Sequence, residues 1–154
     1  MWPDWRFAKS IRLPHEAYDN QDATFHLVCS AQIGSVPFRN KALGDETWRT
    51  LLNELERDRV VLVAACLMPD HLHVVARPRE ANLADWFAEF KSLTTRRAWR
   101  FGKRGGLWQP SFYDRRLYGG QVGEVIAYVL RNPEDAGLVD NMNRWPWVDA
   151  WVGD

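Results

Sequence analysis

The distribution of apolar side chains predicts seven secondary-structure elements in the order β-α-β-β-α-β-α. Alternation over residues 23–31 is typical of a strand, and a continuous apolar run over residues 60–67 is typical of a central strand. Residues 71–77 continue as a strand, and Met-Pro-Asp at residues 68–70 has turn chemistry, so these two strands are predicted to form a hairpin. A fourth, shorter strand is predicted over residues 112–118.

Three helices are predicted from apolar side chains that recur every three or four residues. We expect the first helix to be capped by Asp45 and the second by Asn82, and the third helix to be stopped by Pro133. Their apolar stripes are Trp48, Leu51, Leu52 and Leu55; Leu83, Trp86, Phe87, Phe90 and Leu93; and Val122, Val125, Ile126 and Val129. This order of elements predicts the α+β class, in which helices pack on a mainly antiparallel sheet.

Length and composition favour one domain over residues 1–154. The chain has 154 residues, of which 46% are hydrophobic, so it is long enough to bury a core of its own. No apolar run approaches the ~20 residues that a membrane helix needs, and the first residues lack the apolar centre of a signal peptide. Cys29 and Cys66 lie in apolar strand-like runs, so we expect buried free thiols and a cytoplasmic protein rather than a disulfide.

The charge of the chain is concentrated although its net value is zero. Residues 91–116 contain eight basic residues and one acid, Asp114, a net charge of +7 that the rest of the chain balances with −7. The eight basic residues are Lys91, Arg96, Arg97, Arg100, Lys103, Arg104, Arg115 and Arg116. Aromatic residues such as Trp99 and Phe101 lie between them. Proteins that bind single-stranded nucleic acid combine cations for the phosphates with rings for the bases in this way. A solvated helix face is the alternative interpretation.

Two of the four histidines lie two residues apart in the segment CLMPDHLHVVAR. On a strand, His71, His73 and Val75 share one face, and the two imidazoles are then roughly 7 Å apart along the strand. Such a pair can converge on one cation. Histidines with an ordinary structural role are the alternative, and the pair alone does not decide between them.

A second candidate segment is AYVLRNP, residues 127–133. Tyr128 and Asn132 are four residues apart, so a helix places them on one face at the edge of its apolar stripe. Each has an ordinary explanation, as a core tyrosine and as a residue that ends a helix. Together with His71 and His73 they would form a mixed nitrogen and oxygen site suited to Mg²⁺ or Mn²⁺, with a nucleophile beside it.

Four segments in this order resemble one family. MPDHLH, FKSLTTRRAW, LWQPSFYD and YVLRNPEDAGLV are similar to segments of the REP-associated tyrosine transposases, which belong to the HUH single-strand DNA endonucleases. The resemblance covers about residues 23–147 and implies a ferredoxin-like sandwich of an antiparallel sheet and helices. Residues 1–20 match poorly and are interpreted as an N-terminal arm.

The resemblance assigns roles to particular residues. It implies that His71 and His73 bind a metal, that Tyr128 is the nucleophile, and that Asn132 is a third metal ligand. The implied activity is metal-dependent cleavage and transfer of one DNA strand through a covalent 5′-phosphotyrosine, on DNA that forms hairpins. A DNA-hairpin binding protein without catalysis, and a metal-dependent hydrolase that uses water, are the alternatives.

The implied partner is single-stranded or hairpin DNA, with no membrane involved. The expected cofactor is Mg²⁺ or Mn²⁺, and a monomer is favoured over a homodimer. The candidate DNA-binding residues are Lys91, Arg96, Arg97, Arg100, Lys103, Arg104, Arg115, Arg116 and Trp99.

Overall fold

The computed structural model of the protein describes residues 13–151, so most of the predicted N-terminal arm, residues 1–12, lies outside the described residues. The strands and helices are β1 (Thr24–Ser30), α1 (Lys41–Arg57), β2 (Val60–Met68), β3 (His71–Pro78), α2 (Leu83–Ala98), β4 (Tyr113–Leu117), α3 (Gln121–Asp135) and β5 (Val148–Ala150). Short 3₁₀ turns lie at His15–Asp19, Pro37–Arg39, Trp99–Phe101 and Met142–Arg144.

The five strands form one sheet in the order β4-β1-β3-β2-β5, and every neighbouring pair is antiparallel. Strands β2 and β3 form the predicted hairpin, which turns at Pro69 and Asp70. The long strand β3 is therefore central, with β1 on one side and β2 on the other. The predicted α+β class is confirmed.

Each face of the sheet packs against different helices. Phe25, Leu27 and Cys29 belong to the core that α1 and α2 cover. The opposite face of the sheet contributes Cys66 and Val75 to a smaller core, together with Val125 and Val129 of α3, among others. Because residues alternate between faces along a strand, His71 and His73 lie on the same face as Val75, beneath α3.

The first helix begins five residues before the position that the sequence predicts. Asn40 is its N-cap, and the Asn40 side chain accepts a hydrogen bond from the backbone N–H of Leu43. Asp45 lies inside α1, where its carboxylate accepts hydrogen bonds from Lys41 Nζ and Trp147 Nε1, each at 2.9 Å. The acidic side chain at Asp45 is thus used for tertiary contacts, and the prediction that it caps the helix is wrong.

Helix α3 continues two residues beyond Pro133, to Asp135, whereas the sequence predicts that Pro133 stops it. Proline lacks the N–H that would bond to the preceding turn. Pro133 lies in the last turn of α3, so the missing hydrogen bond is at the helix end rather than in its interior. The N–H of Ala136 still bonds to the carbonyl of Asn132 at 3.0 Å. Strand β5 was not predicted, because three residues are too few to show a pattern.

Cys29 and Cys66 are both buried and free, as the sequence predicts. They contribute to the cores on opposite faces of the sheet, which separates their side chains. Across residues 13–151, the helices are all too short or too polar to cross a bilayer.

Candidate active site

The two histidines of β3 bring one nitrogen each to the same point. The two residues share one face of the strand, and their side chains converge so that His71 Nε2 and His73 Nε2 are 3.1 Å apart. The His73 side chain is fully buried, whereas His71 is partly exposed. The site therefore opens toward solvent on the His71 side.

Helix α3 places the other two candidates above this pair. The amide nitrogen of Asn132 lies 3.4 Å from His73 Nε2, and Asn132 is buried. The ring of Tyr128, one turn earlier, lies 5.7 Å from the His73 ring between centroids, at a nearly perpendicular 85°. The structure thus brings together the four residues singled out in the sequence.

The geometry fits a divalent cation. Neighbouring ligands of an octahedral Mg²⁺ lie about 3 Å apart, because each ligand atom is about 2.1 Å from the metal. The two Nε2 atoms, 3.1 Å apart, satisfy that spacing. Among residues 13–151, no three His, Cys, Asp or Glu side chains gather in a way that could hold a metal. The Asn132 amide is the candidate for a third protein ligand, because rotating it by half a turn would present its oxygen to the same point.

The environment of Tyr128 opposes ionisation of its hydroxyl. Burial raises the pKa of Tyr128 to about 12, while a hydrogen bond with Asn132 acts in the opposite direction. The charge of Asp135 also favours the protonated phenol. Tyr128 therefore needs added positive charge or a proton acceptor before it can act as a nucleophile at neutral pH.

His26 is a residue of this site that the sequence did not reveal. It lies on β1, is fully buried, and its Nε2 atom is 3.0 Å from His73 Nδ1. Burial and the charge of Arg115 lower the pKa of His26 to about 3, so its imidazole is neutral at physiological pH. The alternation of β1 places His26 opposite the Phe25 face, but only the pairing of β1 with β3 puts it beside His73.

Lys91, a candidate for DNA binding, makes contacts within the protein. Its ammonium lies within hydrogen-bond distance of the carbonyl oxygens of Gln109, Pro110 and Ser111, at 2.9, 3.4 and 3.1 Å. It also lies over the ring of Phe112, and burial lowers its pKa. Lys91 thus fastens the segment before β4 to helix α2.

We expect Lys91→Met to lower the free energy of unfolding by about 1 kcal/mol, because three carbonyl groups, two of them in partly buried contacts, lose their donor. Thermal unfolding measures this, and Arg96→Met, an exposed change on the same helix, is the matched control and should leave the melting temperature unchanged. A Lys91→Met protein of unchanged stability but weaker DNA affinity would instead identify Lys91 as a direct DNA contact.

Arg97 also has partners within the protein. Its Nη1 atom lies 3.0 Å from Thr50 Oγ1 and 3.4 Å from Glu46 Oε2, so it connects α2 to α1. Lys103 Nζ donates to the carbonyls of Arg104 and Gly106, which closes the loop after α2.

The remaining candidates on this side of the sheet are exposed. Arg96, Arg100 and Arg104 are open to solvent, and the Trp99 side chain is 54% exposed. Arg96 and Trp99 line a groove of about 700 Å³ between α2 and residues 106–112.

The two arginines of β4 point to opposite faces. Arg115 pairs with His26 in the strand register, so it lies on the face that bears the histidines. Arg116 pairs with Phe25 on the other face, and its guanidinium lies 4.8 Å from the centroid of the Tyr118 ring. The basic segment is thus divided between the groove of α2 and the histidine face.

Fold and site together agree with a class of DNA-cleaving enzymes, the transposases. Residues 20–132 match the family model described as "Transposase IS200 like". The chain belongs to the IS200-like transposase family.

Two known proteins are similar to this chain. A REP-associated tyrosine transposase named in Haemophilus influenzae is 26% identical over 98 residues, which is 55% of this chain and 56% of that protein, so the match spans just over half of the curated relative. The solved structure of a REP-associated tyrosine transposase bound to a REP hairpin has a TM-score of 0.71 and 18% identity, and covers 96% of this chain and 93% of its own. The resemblance seen in the sequence is confirmed.

Proposed function

We propose that this transposase cleaves one strand of DNA and transfers it through a covalent bond to Tyr128, acting on DNA that forms hairpins. The observation that carries the proposal is the arrangement of Tyr128 and Asn132 on one face of α3, directly above the paired nitrogens of His71 and His73. The hairpin in the solved relative supports hairpin DNA as the substrate class.

The chemistry exchanges one phosphodiester for another. The Tyr128 oxygen forms a bond to phosphorus, the bond from phosphorus to the 3′ oxygen breaks, and the leaving oxygen takes a proton to become a 3′-hydroxyl. The DNA 5′ end remains attached to Tyr128. Because a phosphodiester is kept throughout, the strand can be transferred to a second 3′-hydroxyl without a nucleotide energy source.

His71, His73 and Asn132 would hold the Mg²⁺ or Mn²⁺ ion. When bound, the cation supplies positive charge against the scissile phosphate, which offsets the charge that develops during attack. The three residues fix the position of that charge relative to Tyr128, since His73 and the tyrosine ring are in contact across the β3–α3 interface.

The proton of Tyr128 must leave during attack. Asp135 is the carboxylate whose charge acts on the Tyr128 hydroxyl, and it lies two turns further along α3. Glu124, one turn before Tyr128, is exposed, as is Asp135, which lies 3.9 Å from Arg131. Because its charge acts on the phenol, Asp135 is the acidic group we assign to accept this proton through water.

The DNA would approach along two surfaces. Arg115 lies on the histidine face, where it is positioned for phosphates near the scissile bond. Arg96 on α2, and Trp99 and Arg100 in the turn that follows it, are exposed, and cations and a ring together suit an unpaired strand.

A cleavage assay tests the proposal. The protein is incubated with a single-stranded, hairpin-forming oligonucleotide taken from the DNA that flanks its gene, with Mg²⁺ or Mn²⁺. We expect a nick and a protein–DNA adduct that survives denaturation. Nicking without an adduct would favour hydrolysis by water, and hairpin binding with no cleavage under any divalent metal would favour a protein that only binds DNA.

Salt dependence tests the basic residues. Affinity for single-stranded DNA should fall with salt by a logarithmic slope of ~0.7 per phosphate contacted. Arg100→Ala, which removes an exposed cation, should reduce that slope by about 0.7. Arg97→Ala should reduce it less, because its guanidinium is already engaged by Glu46 and Thr50. Equal slopes for Arg100→Ala and the unmodified protein would assign Arg100 to a solvated face.

A further inference from the structure

In each imidazole of the His71–His73 pair, the nitrogen that faces away from the other imidazole has a hydrogen-bond partner. His71 Nδ1 lies 2.7 Å from Asp70 Oδ1, and His73 Nδ1 lies 3.0 Å from His26 Nε2. The two nitrogens that remain, the Nε2 atoms, lie 3.1 Å apart. Each histidine thus has one partner at its back and presents its other nitrogen to the common point.

The partner at Nδ1 determines which nitrogen has a lone pair to offer. A carboxylate only accepts hydrogen bonds, so Asp70 requires the proton of neutral His71 to be on Nδ1, which leaves a lone pair on Nε2. For His73 to offer Nε2 as well, its proton must also be on Nδ1 and be donated to His26 Nε2. His26 can accept it because a neutral imidazole has one unprotonated nitrogen.

We propose that Asp70 and His26 are positioning residues that direct the Nε2 lone pairs of His71 and His73 toward one divalent cation. This inference rests on the metal site of the proposed function. It assigns a role to Asp70 beyond that of a turn residue, and it makes His26 part of the site.

The two partners suit their different surroundings. The Asp70 side chain is about half exposed, so water solvates its charge. His26 is fully buried, and its ring is nearly parallel to that of His73, with planes within 13° and centroids 5.2 Å apart, as expected for two rings joined edge to edge by a hydrogen bond. A carboxylate at position 26 would bury a charge, whereas an imidazole accepts the same hydrogen bond while neutral.

Metal titration by calorimetry with Mn²⁺ tests the proposal. His26→Leu and Asp70→Ala remove the acceptors and should each weaken Mn²⁺ binding by about 10- to 100-fold, the effect typical of such outer partners. His26→Gln and Asp70→Asn keep an acceptor oxygen at similar reach and should restore most of the affinity. His15→Gln, in a surface His–Asp pair away from the site, is the matched control and should bind as the unmodified protein does.

Histidine ring NMR on the Mg²⁺-loaded protein provides a second readout, which a merely structural role would not change. We expect His73 to bear its proton on Nδ1 in the unmodified protein and in His26→Gln. If His26→Leu does not fold, the His26→Gln spectrum and the exposed Asp70 pair of variants still decide. Unchanged Mn²⁺ affinity in His26→Leu and Asp70→Ala, or a proton on Nε2 of loaded His73, overturns the inference and leaves the metal site standing. No Mn²⁺ binding by the unmodified protein overturns both.

Discussion

Tyr128→Phe is expected to abolish the covalent protein–DNA adduct and to lower strand cleavage by at least about 10³-fold, because it removes the attacking oxygen. The change removes only the Tyr128 hydroxyl and leaves the ring that packs against His73 in place. Folding and DNA affinity should therefore be retained. The measurement is a denaturing gel of the reaction with a labelled hairpin strand, beside a binding isotherm for the same strand.

Tyr113→Phe is the matched control, since Tyr113 lies on the same face of the sheet. Its ring is 5.8 Å from that of His26, and it follows the segment that Lys91 fastens. We expect Tyr113→Phe to keep forming the adduct. An adduct that persists in Tyr128→Phe and disappears in Tyr113→Phe would transfer the nucleophile role to Tyr113.

His73→Ala is expected to weaken Mn²⁺ binding by more than about 100-fold, because it removes a ligand rather than an outer partner. His73 makes contacts at both ring nitrogens, with His71 and Asn132 at Nε2 and with His26 at Nδ1. Its loss therefore disconnects the pair as well as removing one ligand. Strand cleavage should fall in parallel, and calorimetry with Mn²⁺ measures the first effect directly.

His15→Ala is the control for this experiment. His15 is exposed and bonds at 2.9 Å to Asp85 of α2, the helix on the opposite face of the sheet from α3. Its replacement should change neither metal binding nor cleavage. Full Mn²⁺ affinity in a folded His73→Ala protein would show that the cation is held elsewhere.

Much of the fold was predictable because the signals are local. Alternation along β1, the continuous apolar run of β2, the turn residues before β3 and the spacing in α2 and α3 are all local patterns, and these elements appear where the sequence predicts them. Boundaries were less predictable. Asp45 has the chemistry of a cap, but its contacts with Trp147 come from a residue about a hundred positions away.

The candidate site was also predictable only in its local features. The spacing of His71 and His73 on a strand, and of Tyr128 and Asn132 on a helix, fixes each pair on one face without reference to the rest of the chain. Which face of the sheet α3 covers is a tertiary property. The structure places α3 over the histidine face, and this brings the two pairs together.

The sequence by itself determined the three helices and the first four strands, the paired spacing of the candidate ligands and nucleophile, and the family resemblance. Only the tertiary structure placed His26 next to His73 Nδ1, brought the Lys91 ammonium to three carbonyl oxygens, and divided the basic segment between two surfaces. The physical reason is that strand register and helix docking depend on contacts between residues far apart in the chain. Local periodicity describes one face of one element, and it holds no information about which partner that face will meet.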